Sequence, residues 1–169
     1  MKLMILAVLT FGSSVLSAQN KEEKGILGDY DGNGTKEYAY FKINDCTEEC
    51  DGACETVIYF SDKKIKSFTV SKANGVELYN LGDLNGDGKD DIGAYTLWCT
   101  SCWAPFYVYT NSKTDWKPLL KPISTHCSQW EADKFPIKKD PRKKGHVIIT
   151  SSQWKDDDIK IVSQSVKVN

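Results

Sequence analysis

Two short segments of the chain match each other almost position for position: residues 28–38 read GDYDGNGTKEY and residues 82–92 read GDLNGDGKDDI. Counting from Asp29, side-chain oxygens fall at the first, third, fifth and ninth places, on Asp29, Asp31, Asn33 and Glu37. Counting from Asp83, the same places hold Asp83, Asn85, Asp87 and Asp91. In a tightly curved loop such alternate residues turn their oxygens toward one centre, and the seventh residue, Thr35 or Lys89, offers its backbone carbonyl. Gly32 and Gly34, like Gly86 and Gly88, allow the positive φ that this curvature demands. Each loop carries three carboxylates, which repel one another until a cation neutralises them. Oxygen-only ligation by many flexible ligands favours Ca2+ over zinc and over magnesium. The twelfth place holds Tyr40 in one loop and Ala94 in the other, where an EF-hand would place a bidentate Glu, and strand-like sequence follows in place of a helix.

The loops are offset by 54 residues, from Asp29 to Asp83. A repeat of that length, a loop followed by strand-like residues, points to a sheet unit rather than a helical solenoid. Segments 38–43, 55–60 and 65–70 are rich in aromatic and β-branched residues, as are 146–150 and 159–168. Segments 92–98 and 103–110 predict a hairpin closed around the Cys-Thr-Ser-Cys of 99–102. No window sustains apolar recurrence at three and four residues, so the expected class is all-β. The stretch 134–145, dense in Lys, Asp, Pro and Gly, reads as a loop.

The first 18 residues read as a secretory signal: Lys2, an apolar run over 3–11, then small residues to a cleavage point after Ala18. Gln19 stands where a lipid-anchored protein would need cysteine. Residues 19–169 are expected to form one domain, periplasmic or secreted, with no membrane span and no tendency to associate strongly. Removing the signal leaves 21 basic and 23 acidic side chains, a balance that argues against a general nucleic-acid binder. Export places Cys46, Cys50, Cys54, Cys99, Cys102 and Cys127 where disulfides persist. The sequence does not select among their roughly 15 pairings. Zinc is the weaker reading, because Cys99-x-x-Cys102 has no second matching ligand pair.

Both loops resemble the calcium loops of integrin-α-type FG-GAP and VCBS repeats, residues 82–92 matching throughout and residues 28–38 departing with Glu37 in place of Asp. The resemblance implies compact, propeller-like antiparallel sheets with calcium clamping the strand connections. Small exported proteins with such loops also include the periplasmic I-type lysozyme inhibitors and similar immunity proteins, which are close to this chain in length. Their Ser-Gly-containing inhibitory loop has no counterpart here.

The remaining chemistry-bearing residues have ordinary explanations. Trp98-Cys99-Thr-Ser-Cys102 has the spacing of a thiol-disulfide oxidoreductase centre, but no βαβ pattern surrounds it. His126 and His146 sit in no nucleophile or metal motif. Lys134, Lys138, Lys139, Arg142, Lys143 and Lys144 form a basic run suited to a solvated loop or to an acidic partner. Trp98, Trp103, Trp116, Trp130 and Trp154 either fill a core or present an aromatic binding face. The function expected is an exported, non-enzymatic, calcium-binding module for a protein or glycan. The alternatives are a lysozyme-inhibitor or immunity-like protein, and an oxidoreductase using Cys99 and Cys102.

Overall fold

A computed structural model describes residues 25–44, 54–97, 101–112 and 115–168. Strands take 54% of these residues and helix 4%, which places the chain in the all-β class. Cys46, Cys50, Trp98, Cys99 and the signal segment lie outside the described residues.

The first sheet is a meander in chain order: β1 (Ile26–Gly28), β2 (Glu37–Asn44), β3 (Glu55–Phe60) and β4 (Phe68–Ser71), each antiparallel to the next. The second repeats this plan with β5 (Val76–Asn80), β6 (Ile92–Thr96), β7 (Trp103–Asn111) and β8 (Trp116–Pro118). The 54-residue repeat is therefore structural, since each acidic loop joins the first two strands of a four-stranded meander. The strand β9 (Ile123–His126) also pairs with β7, whose length serves two partners: Trp103 to Phe106 face β9 and Tyr109 to Asn111 face β8. A one-and-a-half-turn helix, α1 (Cys127–Glu131), follows. The third sheet is β10 (Ile137–Lys139), β11 (His146–Lys155) and β12 (Asp158–Lys167).

Two cores hold the sheets together. Tyr30, Ile58, Phe60, Val70, Ile92, Tyr109 and Trp116 fill the first, between the first and second sheets. Leu84, Phe106, Val108, Ile123, Ile137, Val147 and Val168 fill the second, between the second and third. The central sheet is thus covered on both faces. In β7 the period of two sends Phe106 and Val108 to one core and Tyr107 and Tyr109 toward the other, so the strand reads as a nearly continuous apolar run.

The predicted hairpin forms, with Tyr95 opposite Phe106. Two expectations need correction. Residues 65–67 are not strand, although Ile65 is buried in the first core, and the strand begins at Phe68. The basic stretch 134–145 is not all loop, because Ile137, 3% exposed, anchors β10 against β11. One buried side chain outweighs the polarity of its neighbours, whose lysines project outward.

Candidate cation loops

Both acidic loops share a set of internal hydrogen bonds and the same positive φ at their glycines. In the first, Asp29 accepts the Gly32 N–H on Oδ1 at 2.9 Å and the Gly34 N–H on Oδ2 at 3.0 Å. In the second, Asp83 accepts the Gly86 N–H on Oδ1 at 2.6 Å and the Gly88 N–H on Oδ2 at 3.1 Å. Third-place Asp31 and Asn85 accept the N–H of Asn33 and Asp87, and fifth-place Asn33 and Asp87 accept the N–H of Thr35 and Lys89. The ninth-place carboxylate closes each loop: Glu37 accepts from Tyr30 N–H at 3.2 Å, and Asp91 from Leu84 N–H at 2.8 Å. The longer Glu37 therefore fills the place of its shorter counterpart. Gly32, Gly34, Gly86 and Gly88 all have φ between 79° and 86°, which explains why four glycines occupy these places.

The second residue of each loop is its apolar anchor. Tyr30 is fully buried in the first core and Leu84 lies in the second, so each loop is nailed down where its ninth-place carboxylate enters the protein. This carboxylate is also buried: Glu37 is 5% exposed and Asp91 0%.

Burying an acid without a counter-charge disfavours its ionised form. Burial pushes the Asp91 carboxyl up to about 6; the neighbouring Thr110 hydroxyl and the Leu84 N–H oppose this, and Asp87 and Asp83 reinforce it. Burial likewise raises Glu37, against the Tyr30 N–H and with added repulsion from Asp31, Asp29 and Asp62. Asp91 Oδ1 is buried and lacks a partner in hydrogen-bonding geometry. In the first loop, one carboxylate oxygen each from Asp29, Asp31 and Glu37 lies within 4.8 Å of the others. These donor sets are all oxygen, and an orphaned buried carboxylate oxygen is the kind of atom a hard cation satisfies.

The cysteines serve another purpose. Cys102 is bonded to Cys127, tying the start of β7 to α1, so Cys102 does not pair with Cys99 of its own Cys-x-x-Cys. Cys54 is also disulfide-bonded. His126 lies close to this bridge, but its Nδ1 meets the Ser128 hydroxyl at 2.9 Å and caps α1, and its ring packs edge-on against Trp103. Sulfurs joined to each other are not thiolate ligands, so Cys102, Cys127 and His126 do not form a zinc site in this state.

The described tryptophans divide between roles. Trp116 stacks on Phe60 with centroids 5.1 Å apart, and Trp130 packs among Tyr79, Tyr95, Phe106 and Phe135. Trp103 is half-buried against His126, and Trp154 is 65% exposed. An aromatic strip that the sequence reading missed lies on the outer face of the first sheet, where Tyr38, Tyr40 and Tyr59 stack in succession at 5.9 and 5.3 Å. The alternation of Tyr38 and Tyr40 in one strand was its visible signal. The cross-strand place of Tyr59, opposite Tyr40, required the register.

In the basic run, Lys139, Lys143 and Lys144 line a cavity of about 290 Å³ facing Asn85 and Gly86 of the second loop. No helix among the described residues is long and apolar enough to cross a membrane. The chain matches no protein-family model, no curated protein and no solved structure.

Proposed function

We propose that the protein is a calcium-stabilised, non-enzymatic binding module with a blade-like, propeller-related arrangement of sheets, exported and directed at a protein or glycan. The observation that carries the calcium reading is the fully buried Asp91 carboxyl, whose Oδ1 has no donor in hydrogen-bonding geometry, inside a loop whose first-place and ninth-place hydrogen bonds recur in the first repeat. In that reading Asp29, Asp31, Asn33, Thr35 and Glu37 hold one ion, and Asp83, Asn85, Asp87, Lys89 and Asp91 hold the other, with Thr35 and Lys89 contributing backbone carbonyls. The ions act structurally, joining the strands on either side of each loop. The binding-module reading draws support from the outer tyrosine strip, because aromatic residues are enriched where proteins meet partners. The redox alternative would need a disulfide between Cys99 and Cys102, and Cys102 is committed to Cys127.

Calorimetric titration of chelator-stripped protein tests the calcium reading, with thermal melts alongside. Two ions should bind, and the melting temperature should rise with calcium, each site adding about 2.7 kcal/mol when calcium is 100 times its Kd. Asp83→Ala should abolish uptake by the second loop and Asp29→Ala by the first, with the larger loss of stability in Asp83→Ala. No heat of binding at millimolar calcium and an unchanged melt would leave both loops as polar turns.

A further inference from the structure

The two loops are separated by 54 residues in the chain yet share a hydrogen-bonded seam. Its centre is Asp90, which lies between the seventh and ninth places of the second loop and belongs to neither donor set. Its N–H donates to the Asp29 carbonyl at 2.8 Å, and its Oδ2 accepts the Asp29 N–H at 3.0 Å. The same Oδ2 accepts the Asn80 side-chain amide at 2.9 Å, and that amide also donates to the Leu27 carbonyl at 2.9 Å. Asn80 Oδ1 in turn accepts the Gly82 N–H at the mouth of the second loop, at 2.7 Å. A second strap runs from Lys89 Nζ to the Asn111 carbonyl and from the Asn111 amide to the Tyr30 carbonyl, at 2.7 and 2.8 Å. The backbones also meet: a Cβ added at Gly32 would lie 3.1 Å from the Gly88 carbonyl oxygen.

We infer that Asp90 is a positioning residue that couples the two cation loops, so that filling either one raises the affinity of the other. This rests on the calcium reading. Binding an ion requires the first-place carboxylate and the backbone around it to be held in one arrangement. Both backbone groups of Asp29 are gripped by Asp90, one residue away from the donors Lys89 and Asp91. Ordering the second loop therefore orders Asp29, and ordering the first loop fixes Asp90 and its neighbours. The second ion meets a loop whose ordering cost has already been met, which is positive cooperativity. Linkage makes the effect reciprocal. Three carboxylates per loop more than neutralise a divalent ion, so two filled loops do not repel as bare cations would. Asp90 Oδ2 is occupied by two N–H donors, which separates its role from that of a ligand.

Calcium titration of the full chain and its variants, each checked for fold by circular dichroism, reads this coupling. In the wild type the second stepwise constant should exceed the value for independent sites by about fivefold or more. Asp83→Ala should weaken calcium binding at the intact first loop by that same factor. Asp90→Ala should bring the sites close to independence. Asp90→Asn removes the charge but keeps an oxygen for the Asp29 and Asn80 donors, so it should lower both affinities while retaining the coupling. Asn80→Ala reaches the same seam from the other side and decides the matter if Asp90→Ala does not fold. Two ions binding the wild type independently, or coupling undiminished in the folded seam variants, overturns the inference and leaves the calcium reading standing. No uptake by the wild type overturns both.

Discussion

Asp91 concentrates the electrostatic problem of the second loop in one side chain. Its carboxyl is fully buried and raised to about 6, and the neighbouring charges that act on it, Asp87 and Asp83, carry its own sign. A folded-state pKa above the unfolded value of about 3.9 means that the native state holds a proton which the unfolded chain has already released. The calcium-free protein should therefore lose stability as pH rises from about 4 to about 6, by up to about 3 kcal/mol from this group, and recover none of it above that window. Glu37, raised for the same reason, adds in the same direction. Asp91→Asn should flatten the slope, and saturating calcium should reverse it by favouring the ionised form. Urea titrations of chelated protein between pH 4 and 7 measure this, and a wild-type slope equal to that of Asp91→Asn would remove the proposed strain. The sequence showed that a carboxylate stands at the ninth place of each loop. It could not show that the side chain is buried, because burial depends on which core the second-place residue enters.

Elements meet in this protein through polar clamps as well as through apolar faces. Gly32 and Gly86 occupy equivalent places with nearly equal φ, 79° and 84°, but only Gly32 faces a neighbouring backbone. Alanine at either place suffers the left-handed conformation, at roughly 1–2 kcal/mol. Gly32→Ala should cost more than Gly86→Ala, because its methyl presses on the Gly88 carbonyl; equal melting temperatures for the two variants would contradict the loop contact. A second clamp joins α1 to the third sheet. Gln129 is fully buried, donates to the carbonyls of Lys134 and Thr150, and accepts the Ser152 hydroxyl at 2.8 Å. Gln129→Ala would leave the buried Thr150 carbonyl and Ser152 hydroxyl without this partner at once, so a loss of about 2 kcal/mol or more is expected in chemical denaturation. Gln129→Glu keeps the size and tests the same point, since a carboxylate cannot donate to two carbonyls.

At the scale of the whole molecule, three sheets in series leave two cores that meet only through the central sheet, and covalent bridges supplement them. The Cys102–Cys127 bridge closes a 25-residue separation, for which chain-entropy arguments give about 3.5 kcal/mol. No cysteine among the described residues is free. Thiol titration of the protein unfolded without reductant should accordingly find at most a trace of reactive thiol, and several thiols per molecule would contradict it. Reduction should lower the melting temperature of calcium-loaded and calcium-free protein alike, because the bridge joins the residue before β7 to α1, whereas the loops join β1 to β2 and β5 to β6.

The sequence by itself determined the local features of this protein. The period of two, the aromatic and β-branched segments and the duplicated Asp-x-[Asp/Asn]-Gly-[Asn/Asp]-Gly spacing specify strands and curved acidic loops through interactions within a few residues. That is why the all-β class, the hairpin at β6 and β7 and every loop carboxylate were legible. Short strands were not: β1, β8 and β10 hold three residues each, too few for alternation to register, and exist because a partner strand completes them. Tertiary structure alone decided that Cys102 pairs with Cys127, that Trp116 and Trp130 turn inward while Trp154 does not, and that Asp90 grips Asp29 across the seam. Those outcomes join residues distant in the chain, and their energies depend on which surfaces the sheets bury against one another, a quantity that no local pattern encodes.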